Sequence, residues 1–109
     1  MSYDTRIIDP DTGAELAALG NMTSNVGALY RRAMPGPYKG GGRYGGFGES
    51  NPRAGLPGLS GLRCRDAAPI LHMGIGTMLE SGEACAVAYL CAILVACIKH
   101  PDGVVAVNW

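Results

Sequence analysis

Lys39-Gly-Gly-Gly-Arg43-Tyr44-Gly-Gly-Phe47-Gly48 interleaves positive charge, aromatic rings and glycine, and Arg53 follows it. Arginine grips phosphate with two parallel hydrogen bonds, and glycine backbone exposes N–H groups that hold anions. Tyr38, Tyr44 and Phe47 offer rings on which bases can stack. The chemistry such a tract can do is binding, of an anionic nucleotide or of a nucleic acid. A solvated loop and a docking arm for an acidic protein surface are the other readings of the same residues. Arg31 and Arg32 precede the tract, and Arg63 and Arg65 follow it, so residues 31–65 hold seven of the nine basic side chains and one acid, Glu49. The block carries +6, while residues 1–30 and 66–109 each carry −3. The formal net charge of zero therefore hides a basic belt between two acidic segments. Those segments would repel a phosphate backbone, which disfavours nonspecific duplex DNA as the ligand.

Catalytic equipment is sparse. His72 and His100 are the two histidines. His72 falls in an apolar run and reads as a packed side chain. His100 falls at a helix end, where a partly charged imidazole is favourable. A Cys–His nucleophilic pair depends on spatial proximity, which the order of residues does not show. No acidic pair, phosphate-binding loop or G-x-S-x-G elbow supports hydrolysis. Gly40-x-Gly42-x-x-Gly45 matches the dinucleotide-binding pattern in form, but it neither follows a strand nor opens a helix. The expectation is a protein that is not an enzyme and uses no cofactor or metal.

Four cysteines, Cys64, Cys85, Cys91 and Cys97, raise the question of a disulfide framework. Three of them lie in one apolar run at intervals of six, about 240° of helix rotation per step, so they cannot pair within one helix. There is no CxxC and no Cys/His cluster at zinc spacing. They read as buried, reduced thiols acting as small hydrophobes, which fits a reducing cytoplasm. The opening Met-Ser-Tyr-Asp-Thr-Arg has no apolar signal region. The longest apolar run, Ala84–Ile98, has fifteen residues where a membrane span needs about 20, so a buried helix is expected and no membrane partner.

These residues must be positioned by a small fold. A chain of 109 residues fits a single domain, 1–109. Residues 35–61 hold ten of the seventeen glycines and four of the seven prolines, and are expected to form a long basic loop that supplies no core. Tyr3–Asp9 and Ala14–Leu19 read as a hairpin around Asp9-Pro10-Asp11-Thr12-Gly13, where proline presets φ, aspartate caps its own backbone and Gly13 takes positive φ. Asn21–Asn25 is dense in helix N-caps, and Val26, Leu29, Tyr30 and Ala33 follow on one helical face, predicting a helix over 24–34. A second helix is expected from Arg63 to Glu80. Its glycines, Gly74 and Gly76, weaken it unless they admit another element. Ser81 or Gly82 is expected to cap a third helix running to about His100. Val104, Val105 and Val107 then read as a strand able to pair with the hairpin.

Several blocks, in order, resemble small uncharacterised proteins of phages, prophages and actinobacteria. They are Met1-Ser2-Tyr3-Asp4, Asp9-Pro10-Asp11-Thr12-Gly13-Ala14-Glu15-Leu16, Asn21-Met22-Thr23-Ser24-Asn25-Val26, Gly61-Leu62-x-x-x-Asp66-Ala67-Ala68-Pro69 and His100-Pro101-Asp102-Gly103-Val104. The glycine-rich insert departs from the short connection usual in that group, and Arg63 stands where the group has a capping Thr or Ser. The resemblance implies a phage-type accessory product and brings no activity or catalytic residues.

The expected architecture is α+β: a two- or three-stranded antiparallel sheet packed on three helices, with the long Gly-rich loop. Ala84–Ile98 has no polar face beyond the Tyr89 hydroxyl, whereas a surface helix ordinarily shows only an apolar stripe. Its cover is expected to come from a second copy, giving a homo-oligomer through residues 84–98. The expected function is a non-enzymatic accessory protein that counteracts host defence in the host cytoplasm. It would sequester an anionic nucleotide or dock on a host defence nuclease, as anti-CRISPR proteins do. Arg31, Arg32, Lys39, Arg43, Tyr44, Phe47 and Arg53 are the expected contacts. A homo-oligomeric structural or assembly protein without a ligand is the alternative.

Overall fold

Strand β1, Ser2–Ile8, alternates exposed and buried side chains, turning Tyr3, Thr5 and Ile7 inward. It is the central strand of a three-stranded antiparallel sheet in the order β2-β1-β3, flanked by β2, Glu15–Thr23, and β3, Val104–Asn108. The computed structural model describes residues 2–23, 26–36, 38 and 54–108. Four helices complete it: α1, Gly27–Ala33; α2, Gly55–Leu59; α3, Cys64–Met78; and α4, Ala84–Lys99. The α+β class, the antiparallel sheet and the pairing of the last strand with β1 are as expected from the sequence.

The β1–β2 turn forms by the chemistry its residues dictate. Asp9 Oδ1 accepts from the backbone N–H groups of Asp11 at 2.8 Å and Thr12 at 3.2 Å, and Gly13 takes φ +76°. β2 then runs four residues further than the expected strand, through Asn21-Met22-Thr23, which read from sequence as helix caps. The extension is allowed by a bulge: Asp4 faces Asn21 and Arg6 faces Ala18, so Leu19 and Gly20 together oppose Thr5. Gly20 supplies the positive φ, +76°, that such a step needs. Helix α1 starts correspondingly late, without a side-chain cap. Ser24 and Asn25 lie outside the described residues.

The expected loop 35–61 needs correction at its end. Leu56 and Leu59 are fully buried in α2, because Gly55 places them against α1: its N–H donates to the Met34 carbonyl at 2.9 Å, with φ +69°. The residues after α2 cover the outer edge of β3. Gly61 N–H donates to the Val105 carbonyl at 2.7 Å, Val105 N–H to the Leu62 carbonyl at 2.9 Å, and Val107 N–H to Ser60 Oγ at 2.9 Å. A sheet edge that would otherwise present unpaired backbone is thereby closed.

Helix α3 buries Cys64, Ala67, Leu71, Gly74 and Met78, an unbroken stripe at alternating steps of three and four. Gly74 is the close approach anticipated from its sequence: a Cβ there would lie 2.7 Å from Met34 Cγ. Gly76, by contrast, faces open space. Helix α4 buries Ala86, Tyr89, Leu90, Ile93, Ala96 and Cys97. Its cap is Glu83, with no side-chain cap bond; Ser81 Oγ instead accepts from Glu83 N–H and donates to the Met78 carbonyl, closing the end of α3.

Candidate functional site

Arg31 and Arg32 occupy the last turn of α1, where positive charge opposes the negative helix end. Tyr30 and Ala33 face the core, so the two arginines are exposed. Gly55, which follows the tract in sequence, packs back on the end of this helix, its N–H donating to the Met34 carbonyl. A Cβ on Gly55 would stand a tight 3.2 Å from Arg31 N, and its φ of +69° favours glycine at this approach. Lys39, Arg43, Tyr44, Phe47 and Arg53 lie outside the described residues. Tyr38 is half-buried and packs against the core cluster. Arg32 also lines a cavity of about 250 Å³ with Leu29, Glu80 and Ser81, setting a carboxylate in the same hollow.

The other end of the basic belt is held by acids. Arg65 pairs with Asp102, and its backbone N–H donates to the Pro101 carbonyl at 3.2 Å. Arg63 lines a cleft of about 410 Å³ together with Asp9, Asp11, His100 and Asp102. Two turns of similar sequence, Asp9-Pro10-Asp11-Thr12-Gly13 and His100-Pro101-Asp102-Gly103, form its walls. Read along the chain they were two separate turns; in space they make one concave surface. No group of three or more His, Cys, Asp or Glu side chains able to hold a metal occurs among the described residues. The belt is thus split: Arg31 and Arg32 stand at the base of the tract, while Arg63 and Arg65 share a surface with carboxylates.

His72 is exposed on α3, not packed as its apolar neighbours implied, because the buried stripe runs through Leu71 and Gly74 and leaves position 72 outside. His100 is the C-cap residue of α4, as expected. The cysteines divide too. Cys85 is exposed and Cys91 half-buried, against the expectation of four buried thiols, while Cys64 and Cys97 are buried. The Cys64 thiol and burial both raise Cys97, while the Cys97 thiol lowers Cys64 against the effect of burial. Spacing along one apolar run missed this pair because Cys64 belongs to a different helix.

Two buried tyrosines hold α4 to the rest of the protein. Tyr30 donates to the Ala86 carbonyl at 2.9 Å. Burial pushes its phenol well above the ordinary value, and Tyr89 and Tyr3 nearby push the same way. Tyr89 donates to the Gly20 carbonyl and receives the Thr5 hydroxyl. Its phenol is also raised by burial, partly offset by the Thr5 bond.

These anchors leave the opposite side of α4 open. Cys85, Ala88, Ala92, Val95 and Ile98 are exposed, Val95 at 50% and Ile98 at 66%. Cys85, Ala88, Ala92, Val95 and Lys99 recur at steps of three, four, three and four, the spacing of a helix–helix seam. No charge interrupts the helix between Glu83 and Lys99. Leu79, 67% exposed, adds apolar surface just before it. No helix among the described residues is long and apolar enough to cross a membrane. No family model, curated protein or solved structure matches the chain.

Proposed function

We propose that the chain is a non-enzymatic binding protein whose working form is a homo-oligomer built through α4. Assembly gathers several copies of the cationic segment 31–65 for an anionic ligand. The observation that carries this reading is the open face of α4: exposed apolar side chains at seam spacing from Cys85 to Val95, with no charge before Lys99 at the helix end. Small residues at Cys85, Ala88 and Ala92 allow close approach of a second helix. An antiparallel copy also brings Lys99 of one helix toward Glu83 of the other, so the ends attract where the middle is apolar.

The ligand is read from charge. Arg31 and Arg32 are exposed where the tract is rooted, and Lys39, Arg43, Tyr44, Phe47 and Arg53 supply further cations and rings. This composition favours a phosphate-bearing nucleotide. Together with the phage-type blocks of the sequence, it supports an accessory role against host defence in the cytoplasm of the infected cell. Light scattering followed by calorimetry against a nucleotide panel tests the reading. An oligomer that releases heat with a nucleotide, and loses it when Lys39, Arg43 and Arg53 become alanine, supports it. An oligomer with no nucleotide heat but a stoichiometric host nuclease in a pull-down moves the function to docking on that protein. An oligomer indifferent to all of these is an assembly protein.

A further inference from the structure

The open side of α4 carries a strip at alternating steps of four and three: Ala84, Ala88, Cys91, Val95 and Ile98. At about 100° per residue, it lies about 180° around the helix from the buried set Ala86, Tyr89, Leu90, Ile93, Ala96 and Cys97. The strip through Cys85 and Ala92 runs to one side of it. Cys91 is half-buried and the other four residues are exposed. This central strip is self-complementary in spacing, size and charge. Its spacing is almost the same read from either end, with Cys91 at the centre. Its small residues, Ala84 and Ala88, sit at one end, and its larger ones, Val95 and Ile98, at the other. The small end opens into a hollow of about 310 Å³ between the end of α3 and the start of α4, whose lining includes Met78, Leu79, Glu83, Ala84, Val87 and Ala88. Charge divides the same way: exposed Glu83 borders the hollow, and exposed Lys99 follows Ile98.

We propose that two copies of the chain pair their α4 helices antiparallel about a two-fold axis at Cys91, each seating its Ile98 in the hollow of the other. The inference rests on the homo-oligomer read above and fixes its direction and register. In this register Ala84 faces the partner's Ile98, Ala88 faces the partner's Val95, and Cys91 faces its own equivalent. Glu83 stands opposite the partner's Lys99. Small meets large on either side of the axis, and opposite charges meet at both ends. A parallel pair would set Glu83 against Glu83 and Lys99 against Lys99, crowd Ile98 on Ile98 and leave the hollow unfilled. The antiparallel face is isologous, so the assembly closes at two copies.

The test uses the full chain and two readouts. First, the Cys85→Ser and Cys91→Ser variants are oxidised with diamide at equal concentration, and linked dimer is followed on non-reducing gels. The antiparallel register holds the two Cys85 residues about 18 Å apart along the axis, whereas a disulfide spans at most about 7 Å between Cα atoms. The Cys85→Ser chain, which keeps Cys91, should link faster than the Cys91→Ser chain, although Cys85 is the more exposed thiol. Linkage through Cys85 at an equal or greater rate would overturn the register. Second, light scattering on dilution compares Glu83→Lys, Lys99→Glu and the double exchange. Each single change turns two attractions into two repulsions and should weaken association about tenfold, and the double exchange should restore it. Single variants that associate like the unmodified chain, or a double exchange no better than either, would overturn the proposal while leaving a homo-oligomer standing. A single-chain mass for the unmodified protein at high concentration would overturn both.

Discussion

The Tyr89 hydroxyl donates to the Gly20 carbonyl at 2.8 Å, tying the middle of α4 to the bulge in β2. Gly20 lies in that bulge, and Tyr89 bonds its carbonyl while accepting the Thr5 hydroxyl at 2.9 Å. Tyr89→Phe keeps the ring and strands both partners. A denaturant titration should show a loss of about 1–3 kcal/mol. An unchanged midpoint would mean that water replaces the phenol at no cost.

Three glycines separate packing from backbone freedom. A Cβ on Gly103 would stand 2.6 Å from Ile7 Cγ2 and 3.1 Å from the His100 carbonyl. Gly103→Ala should therefore cost about 1–3 kcal/mol. At Gly74 a Cβ would stand 2.7 Å from Cγ of the fully buried Met34, so Gly74→Ala should also cost about 1–3 kcal/mol. At Gly76 nothing lies within 4 Å, and Gly76→Ala should stabilise α3 by up to about 1 kcal/mol. Thermal melts should place Gly76→Ala at or above the unmodified chain and the other two variants below it.

Tyr30 and Tyr89 make the fold sensitive to alkali. Each phenol is raised in the folded state above its ordinary value of 10.0, so the folded chain binds these protons more tightly than the unfolded chain. Their contribution is fully present below about pH 10 and is lost as pH rises through the folded values. Stability measured against pH should be flat with respect to these groups near neutrality and fall above pH 10. Tyr30→Phe should make the fall shallower; an equal slope in the variant would assign it elsewhere.

Arg65–Asp102 is an exposed pair, with side chains 57% and 76% accessible. Asp102→Asn should change stability by no more than about 1 kcal/mol, and less in high salt. A larger loss would show that the 100–103 turn depends on the charge and not on its backbone bonds.

Much of this fold is legible in the residues, for local reasons. Asp9-Pro10-Asp11-Thr12-Gly13 carries its own turn chemistry, Ser81-Gly82 separates two apolar helices, and Val104–Val107 can only be a strand so close to a Pro-Asp-Gly turn. What escapes the sequence is set by tertiary contact. Asn21-Met22-Thr23 would cap a helix in isolation, but the bulge at Gly20 keeps them paired with β1. Leu56 and Leu59 look stranded among glycines until Gly55 docks them on α1. His72 sits among apolar neighbours yet points outward, because a helix buries a stripe and not a run. Of the expected binding residues, the structure describes Arg31 and Arg32, both exposed beside the root of the tract. Cys64 and Cys97 are both buried but lie on two helices that no spacing rule connects.

The open side of α4 bears most of the weight, and the mass of the protein in solution tests it most directly. Light scattering on the unmodified chain should give a multiple of 11.3 kDa, and Val95→Glu, which sets a charge in the middle of the apolar face, should return the single-chain mass with the fold intact. A mass of 11.3 kDa for the unmodified chain at high concentration would contradict the account.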